Sequence, residues 1–549
     1  MIKDDAFEEL AQAVGVENAS REPAVLDSYA WQPTFNNRPE PWVTRPVAVV
    51  LPGSTAEVQE VVRACNRHGL KFKAFSTGWG AWAGPSGEGV VQVDLRRMDR
   101  VLDIDEKNMI AVVEPYAIGG QIRAEAMKVG LNTHMIAAGA GVSPLASACA
   151  AFGPGWDGTY SPRNLMGVEW VLPDGELLRL GTLGSRLGWF CADGPGPSLR
   201  GVMRGKAGGL SGNGVFTACA LKLFPWPGPP RPEVEGLFYD MELELPWNFR
   251  LYLLIFPDRE NWSEATYRMS LEGLDYNIMK SPIGVVPVIV APRLTRKLAQ
   301  SPNLRALLSS IQHGTMLIMA AHSRGEMEYR EAALREIVYD HGGLVMDFGA
   351  MALGGTFWWS VISGAVPPMS FRAGGQMQSG LGPDDAWDTA VTWDAAGEEI
   401  KREWIGRGGC VDDLADACVD MLWEDGSINH SEELWYYDPR NEAHVRALKG
   451  MAFDFLLTAL EQCTDQPWNI FPEQRKLISP LQGDFNRWQR ELARAFDPGE
   501  AADSVLYLGE EDMDLSGIDD AKVRELRRLV EERDWRRAYA EGDPGKEER

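Results

Sequence analysis

The chain has 549 residues, 45% of them hydrophobic, a length and content that support two or three globular domains with sizeable cores. Lys and Arg number 54 against 79 Asp and Glu, and the resulting net charge of -25 repels nucleic acid and anionic lipid, which excludes both as expected partners. The seven cysteines are scattered and form no C-x-x-C pair, so no disulfide framework, zinc site or iron–sulfur site is predicted and a reducing compartment, the cytoplasm, is expected.

The first ten residues are acidic and amphipathic, without the apolar core of a signal peptide, and residues 6 to 14 predict a helix with Phe7, Leu10, Ala11 and Val14 on one face. Arg45 to Pro52 predicts a strand. Ser54-Thr55-Ala56-Glu57 then reads as a capping box opening a helix whose apolar stripe is Val58, Val61, Val62 and Cys65 and whose stop is Gly69. A strand over Lys71 to Phe75 completes a βαβ-like unit and runs into Phe75-Ser76-Thr77-Gly78-Trp79-Gly80-Ala81-Trp82-Ala83-Gly84-Pro85. Glycines at 78, 80 and 84 let backbone amides approach an anion, with Ser76 and Thr77 as hydroxyl donors; a plain turn is the alternative reading.

Strands over 90–95 and 110–115 and a helix over 118–130 follow. A second small-residue region spans Ala137 to Gly158, and Pro173-Asp174-Gly175 turns a hairpin between 168–172 and 176–180. A third glycine cluster, 205–214, leads into the apolar run Val215 to Phe224. Pro225 to Pro232 forms neither helix nor central strand and marks a domain boundary. Beyond it, strand-like runs (250–256, 285–291, 315–321) alternate with helices such as 326–340, which opens on a capping box at Ser323; this is the pattern of an α+β domain.

Phe348 to Pro368 carries no charge, but its glycines and closing prolines suit a buried sheet segment lining a pocket better than a membrane span. Helices are predicted over 484–496, ending at Asp497-Pro498-Gly499, and over 522–539, a charged tail that folds back or docks on a partner.

Three separated glycine-rich segments in one α/β region point to an extended phosphate with a planar ring, and the strand ending at Leu51 lacks the G-x-G-x-x-G of a Rossmann fold. From Arg45 to Leu223 the chain resembles the flavin-binding domain of the vanillyl-alcohol oxidase and p-cresol methylhydroxylase family. The matching parts are Phe75-Ser76-Thr77-Gly78 with Gly84-Pro85, the run Val93 to Val101, Val113-Glu114-Pro115, Val168 to Gly175 and Gly194 to Leu199. Asp497-Pro498-Gly499 resembles the element by which the family's C-terminal segment returns to the flavin domain.

The resemblance implies an α+β fold: a PCMH-type FAD-binding domain of two α+β subdomains, 1–228, and an α+β cap with an antiparallel sheet flanked by helices, 229–470. A returning segment, 471–510, and the tail, 511–549, complete the chain. It implies FAD as cofactor, no metal, and FAD contacts from Ser76, Thr77, Gly78, Trp79, Gly80 and Ala81 at the pyrophosphate, Pro115, Gly141, Ser143 and Pro144 along the ribityl chain and ring, and Gly155, Gly158, Gly214 and Val215.

Departures from the family pattern narrow what is expected. The loop at 76–84 has no histidine, so no covalent flavin link through it is expected; the Tyr-Arg pair that holds a phenolate, the His-rich metal motif of D-lactate and glycolate dehydrogenases and the berberine-bridge type of C-terminus have no counterpart. The implied reaction is hydride transfer from a small organic substrate, an alcohol or hydroxylated aromatic, to flavin N5. Tyr436, His430 and Arg372 are the catalytic candidates, with His322 and Tyr437 behind them and Trp358 and Trp359 as apolar walls. The alternative is a flavoprotein subunit that relays electrons within a complex. An electron-acceptor protein, a further copy of the chain or a complex subunit are the expected protein partners.

Overall fold

Ala48, Val49 and Val50 are completely buried, the mark of a strand covered on both faces, as parallel sheets require. The computed structural model describes residues 2–31, 43–77, 83–133, 139–145, 165–181, 213–236, 242–280, 301–351, 354–364, 377–381, 386–415, 418–438, 440–464, 477–481, 485–503 and 515–534. Strands β1 (Ala19–Ser20), β2 (Ala48–Val50), β3 (Lys71–Phe75) and β4 (Val90–Asp94) form a sheet in the order β1-β2-β4-β3, with β2 and β3 both parallel to β4. Helices α1 (Asp4–Val14) and α3 (Thr55–His68) supply Leu10, Val14, Val58, Val61 and Val62 to its core, and α2 (Pro23–Ala30) packs Leu26 and Tyr29 on Val49. At the start of α3 the Ser54 hydroxyl accepts from the Glu57 N–H at 3.2 Å, and the Glu57 carboxylate reaches back to the Gly53 N–H at 2.8 Å, one residue further than a standard capping box.

A second, antiparallel sheet follows, from β5 (Val101–Asp105), β6 (Ile110–Val113), β8 (Leu165–Val171), β9 (Leu177–Leu180) and β10 (Val215–Lys222), ordered β5-β6-β10-β8-β9. Helix α4 (Gly119–Met127) packs Ile122 and Ala126 into its core, and a short ribbon of β7 (Leu131–Asn132) with β11 (Phe224–Pro225) leads out of the domain. After the helix Phe485–Phe496 the chain comes back to the first sheet, where Ala502 bridges Phe72 in parallel.

The region between is one seven-stranded antiparallel sheet: β12 (Phe249–Ile255), β13 (Asn277–Lys280), β14 (Gly314–Ala320), β15 (Leu344–Asp347), β16 (Met377–Leu381), β17 (Cys418–Trp423) and β18 (Ile428–Tyr436), in the order β15-β12-β14-β13-β17-β18-β16. Side chains alternate between its two faces. One face, with Tyr252, Leu254, Ile278 and Leu422, packs on the helices Arg259–Leu271, Arg324–Asp340 and Trp387–Gly406. The other, with Leu251, Met279, Met421, Trp423 and Leu434, meets the helix Gly354–Ile362 together with Met127 and Trp226 of the N-terminal domain.

That helix corrects the sheet segment expected across 348–368. Gly354 and Gly355 allow its first turn to lie against backbone: an added Cβ would sit 2.3 Å from the Gly349 carbonyl oxygen and 1.8 Å from that of Leu243. Trp358, Val361 and Ile362 then form its buried side. The charged tail helix, Asp520–Glu532, lies on the helix Glu442–Glu461, with Leu526 and Leu529 in one cluster with Phe453, Leu457 and Leu460. Among the described residues no helix is long and apolar enough to cross a membrane.

The helix-covered face of the sheet carries buried charge. Lys401 is fully buried, 2.5 Å from Asp413 and 3.8 Å from Glu433, and its ammonium also donates to the Leu434 carbonyl at 2.5 Å. Nearby, Asp394 pairs with Lys280 and with Arg259, which also pairs with Glu398. Two cations thus meet two anions. Asp420 is a third carboxyl beside them, hydrogen-bonded to the Ser431 hydroxyl at 2.6 Å, and burial together with the Asp394 charge pushes it up to about 7.

Lys401→Met leaves Asp413 and Glu433 buried without their cation and is expected to destabilise the fold by about 3–5 kcal/mol, read as a lower urea midpoint at unchanged slope. An unfolded aspartate titrates near about 3.9, so between that pH and about 7 the folded chain holds a proton that the unfolded one has lost, and stability falls as the pH rises. Asp420→Asn removes this penalty: its gain in Tm over the parent is expected to be larger at pH 8 than at pH 5.

Candidate cofactor and substrate site

Three chain segments meet at the carbonyl of Pro115. The Ser76 hydroxyl, just past β3, donates to it at 2.6 Å, and the buried Ser143 hydroxyl donates to the same oxygen at 2.6 Å. The Ser143 N–H in turn donates to the Thr77 hydroxyl at 3.2 Å. Pro115 is itself held by its neighbour, because Glu114 takes the Arg100 N–H and both ends of its guanidinium at 2.7–3.1 Å. The Gly119 and Gly120 N–H groups, opening α4, donate to the Val142 and Ala140 carbonyls at 2.9 Å each, which fixes the turn between Gly139 and Pro144.

Of the fourteen residues expected at the cofactor, the structure therefore brings Ser76, Thr77, Pro115 and Ser143 into direct contact, with Gly141 and Pro144 on the same turn. An added Cβ at Gly141 would meet no atom of the described residues within 4 Å. Gly214 and Val215 start β10, whose Cys219 pairs with Val113, so they lie at the end of the sheet where β6 runs into Pro115. Gly214 has φ of 118° and an added Cβ there would stand 2.2 Å from the Val171 carbonyl oxygen, so the position requires glycine. The Val215 side chain is fully buried in the first core, which leaves only its backbone for a ligand. Gly78, Trp79, Gly80, Ala81, Gly155 and Gly158 lie outside the described residues.

The cap adjoins this cradle through backbone. Gly364, just beyond the helix Gly354–Ile362, accepts from the Ala140 N–H at 3.1 Å, and Ser363 accepts from Arg123 at 2.9 Å. Asn132 donates to the Tyr276 hydroxyl at 2.8 Å, and Trp226 stacks against Trp358 with centroids 6.1 Å apart. The sheet face bearing Leu434 and Met421 is therefore the one turned toward the N-terminal domain.

His430 and Tyr436 both lie on that face, two and one side-chain pairs from Leu434 along β18. His430 is fully buried, stacks on Trp423 at 5.4 Å and 8°, and stands 3.8 Å from Glu432, the residue between the two on the same face. Tyr436 is pushed up in pKa by burial, then by the charges of Asp413 and Glu432, and its hydroxyl has no hydrogen-bond partner among the described residues. Trp358 is buried on the facing helix with its indole N–H unpartnered, and Trp359 is half-buried beside it.

The remaining candidates separate from this group. His322 is exposed at the mouth of the helix Arg324–Asp340, where its N–H is tied to Glu326 at 2.9 Å. Tyr437 points to the opposite cluster around Trp404 and Trp435. Arg372 lies outside the described residues. Two residues that sequence reasoning passed over share the inner face: Glu432, and Asn277 of β13, which has the parity of Met279 and is fully buried with neither amide atom partnered. Their signal was a polar residue inside an otherwise apolar strand.

Residues 46–181 match the family model described as an FAD binding domain. Over 208 residues the chain is 30% identical to the 4-cresol dehydrogenase (hydroxylating) flavoprotein subunit of Pseudomonas putida, covering 36% of this chain and 38% of that protein. Over 201 residues it is 29% identical to the 1'-carboxy-chondrochloren decarboxylase of Chondromyces crocatus, covering 35% of each. The chain thus spans little more than a third of the length of these curated relatives. The fold is shared further: a crystal structure of p-cresol methylhydroxylase with substrate bound superposes with a TM-score of 0.71 over 93% of this chain and 97% of that one, at 17% identity.

FAD is the cofactor of this domain. The cradle fits it on its own terms, because the turn at Gly141 presents backbone rather than a side chain where no described atom lies within 4 Å, the lining that a diphosphate and a flat ring accept. Ser143→Ala takes one of the two hydroxyls from Pro115 and frees the turn at 139–144. Loss of this buried hydrogen bond, about 1–2 kcal/mol, is expected to weaken FAD binding by about tenfold in a flavin-fluorescence titration of the apoprotein.

Proposed function

We propose that this chain, which carries an FAD-binding domain within a p-cresol methylhydroxylase fold, is an FAD-dependent oxidoreductase that oxidises a small organic alcohol or hydroxylated aromatic compound. The reaction would take place against the sheet face that holds His430, Glu432 and Tyr436. When bound, FAD supplies a two-electron acceptor that takes hydride at its N5 position. Ser76, Thr77, Pro115, Gly141, Ser143, Pro144, Gly214 and Val215 would hold it, together with the loop residues Gly78 to Ala81 and with Gly155 and Gly158.

One observation carries the reading. Buried polar groups in folded chains are almost always hydrogen-bonded, yet among the described residues Asn277, Tyr436 and Trp358, on the inner face and the helix against it, leave an amide, a hydroxyl and an indole N–H without partners. A ligand carrying hydroxyl oxygen satisfies such groups. Removing hydride from a carbinol carbon also requires the hydroxyl proton to leave, and His430 with Glu432, both buried and 3.8 Å apart, would receive it. Trp358, Trp226 and Phe249, in one aromatic cluster, exclude water and suit a flat substrate.

Anaerobic mixing of the flavoprotein with a panel of alcohols and hydroxylated aromatics is expected to bleach the flavin absorbance with one class. Glu432→Gln is expected to slow that bleaching by about two to four orders of magnitude without loss of bound flavin. Reduction by a protein partner alone, with no small molecule active, would replace this reading with an electron-relay subunit. Bleaching by the variant at the parental rate would remove Glu432 from the chemistry.

A further inference from the structure

The loop that begins at Ser76 is closed from the far end of the chain. Asp503 is buried, and its carboxylate accepts from the Ser86 N–H at 2.7 Å and the Ser86 hydroxyl at 2.8 Å, where the loop rejoins the fold 417 residues earlier. The backbone of the same segment also pairs with the opening end of β3, the strand that runs into the loop: the Asp503 N–H donates to the Phe72 carbonyl at 2.8 Å, and the Phe72 N–H to Ala501 at 2.9 Å. Lys73, the next residue of β3, is buried with its ammonium 3.9 Å from Asp503 and no hydrogen-bond partner of its own. Its register partner Gln92 donates to the loop at the Ala83 carbonyl, 3.2 Å away.

The segment is shaped to reach this place. The Asp497 carboxylate accepts from the Ala501 and Ala502 N–H groups at 2.9 and 2.8 Å, forming the turn that turns the chain toward β3. Just before it Phe496 stacks on Trp170 at 5.3 Å and 19°, and the Trp170 indole N–H donates at 2.7 Å to the carbonyl of Asn213, next to Gly214. Residues 496–503 therefore hold the loop's closing foot at Ser86 and the strand that feeds the loop at Phe72, and reach the residues before β10 through Trp170. A carboxylate with two short hydrogen bonds beside a buried ammonium is a strong contact only while all of its partners stay in place.

We propose that residues 496–503 are a latch for the cofactor, with Asp503 as its positioning residue: docking of this segment and binding of FAD favour each other through the loop at 76–86. The proposal rests on the FAD reading of that loop. Linkage is reciprocal, so an undocked latch weakens FAD and bound FAD tightens the latch by the same factor.

The test uses the full chain, with Asp503→Asn and Ser86→Ala made singly and together. FAD is titrated onto each apoprotein by flavin fluorescence. Each single variant is expected to bind about tenfold more weakly, and the double variant hardly worse than either, since both act on one contact. In the parent protein, exchange of the Ala501, Ala502 and Asp503 amides is expected to slow when FAD is added. If Asp503→Asn does not fold, Ser86→Ala, which keeps the buried ion pair, decides alone. A lower apoprotein Tm with FAD affinity within twofold of the parent would make the segment a structural strut and overturn the latch, as would exchange that ignores FAD. A parent protein that takes up no FAD would instead overturn the cofactor reading itself.

Discussion

The carbonyl oxygen of Pro115 accepts two hydroxyl hydrogen bonds of 2.6 Å, one from Ser76 and one from Ser143, and the placement of the cofactor loops depends on it. A carbonyl has two lone pairs, so this oxygen joins the loop after β3 to the turn after α4 without leaving either hydroxyl unsatisfied. Its own position is set from outside by the Arg100–Glu114 pair, which fixes the residue before it against β5. A parallel and an antiparallel sheet, with separate cores, are thereby brought to a common edge.

The cap obeys a different constraint. With a side-chain period of two, β18 divides INHSEELWY between its faces, so Ser431 and Glu433 join the charges under the helix Trp387–Gly406, while His430, Glu432 and Tyr436 face the N-terminal domain. The covered face pairs Lys401 with Asp413 and Glu433 and so fixes register, since a one-residue slip would place Glu433 on the inner face and strand Lys401. The inner face leaves polar atoms open.

Much of this was legible from local chemistry. The caps at Ser54 and Ser323, the Pro173-Asp174-Gly175 hairpin and the alternating cap strands were all readable because each depends on residues within a few positions. The glycine-rich stretch at 349–355 misled, because glycines that break a helix in isolation here let one lie against the Leu243 and Gly349 carbonyls. Glu432 and Asn277 were passed over because which face a polar residue takes follows from the partner strands, not from its own neighbours. Asp503 and Ser86 are 417 positions apart, and no periodicity connects them.

The joints between the two regions explain how such a site could change substrate while keeping its cofactor. Two of them end on backbone carbonyls, Ala140 N–H to Gly364 and Arg123 to Ser363, and so tolerate substitution of the residues that supply the acceptors. The inner face is built the other way, from side chains of β13, β17 and β18, of which Asn277 and the Tyr436 hydroxyl have no hydrogen-bond partner among the described residues. Replacing Asn277 or Tyr436 therefore leaves the sheet ladder, the ionic layer behind it and the Pro115 junction in place. Chemistry that varies at the inner face and a cradle that does not is the division of labour that these contacts permit.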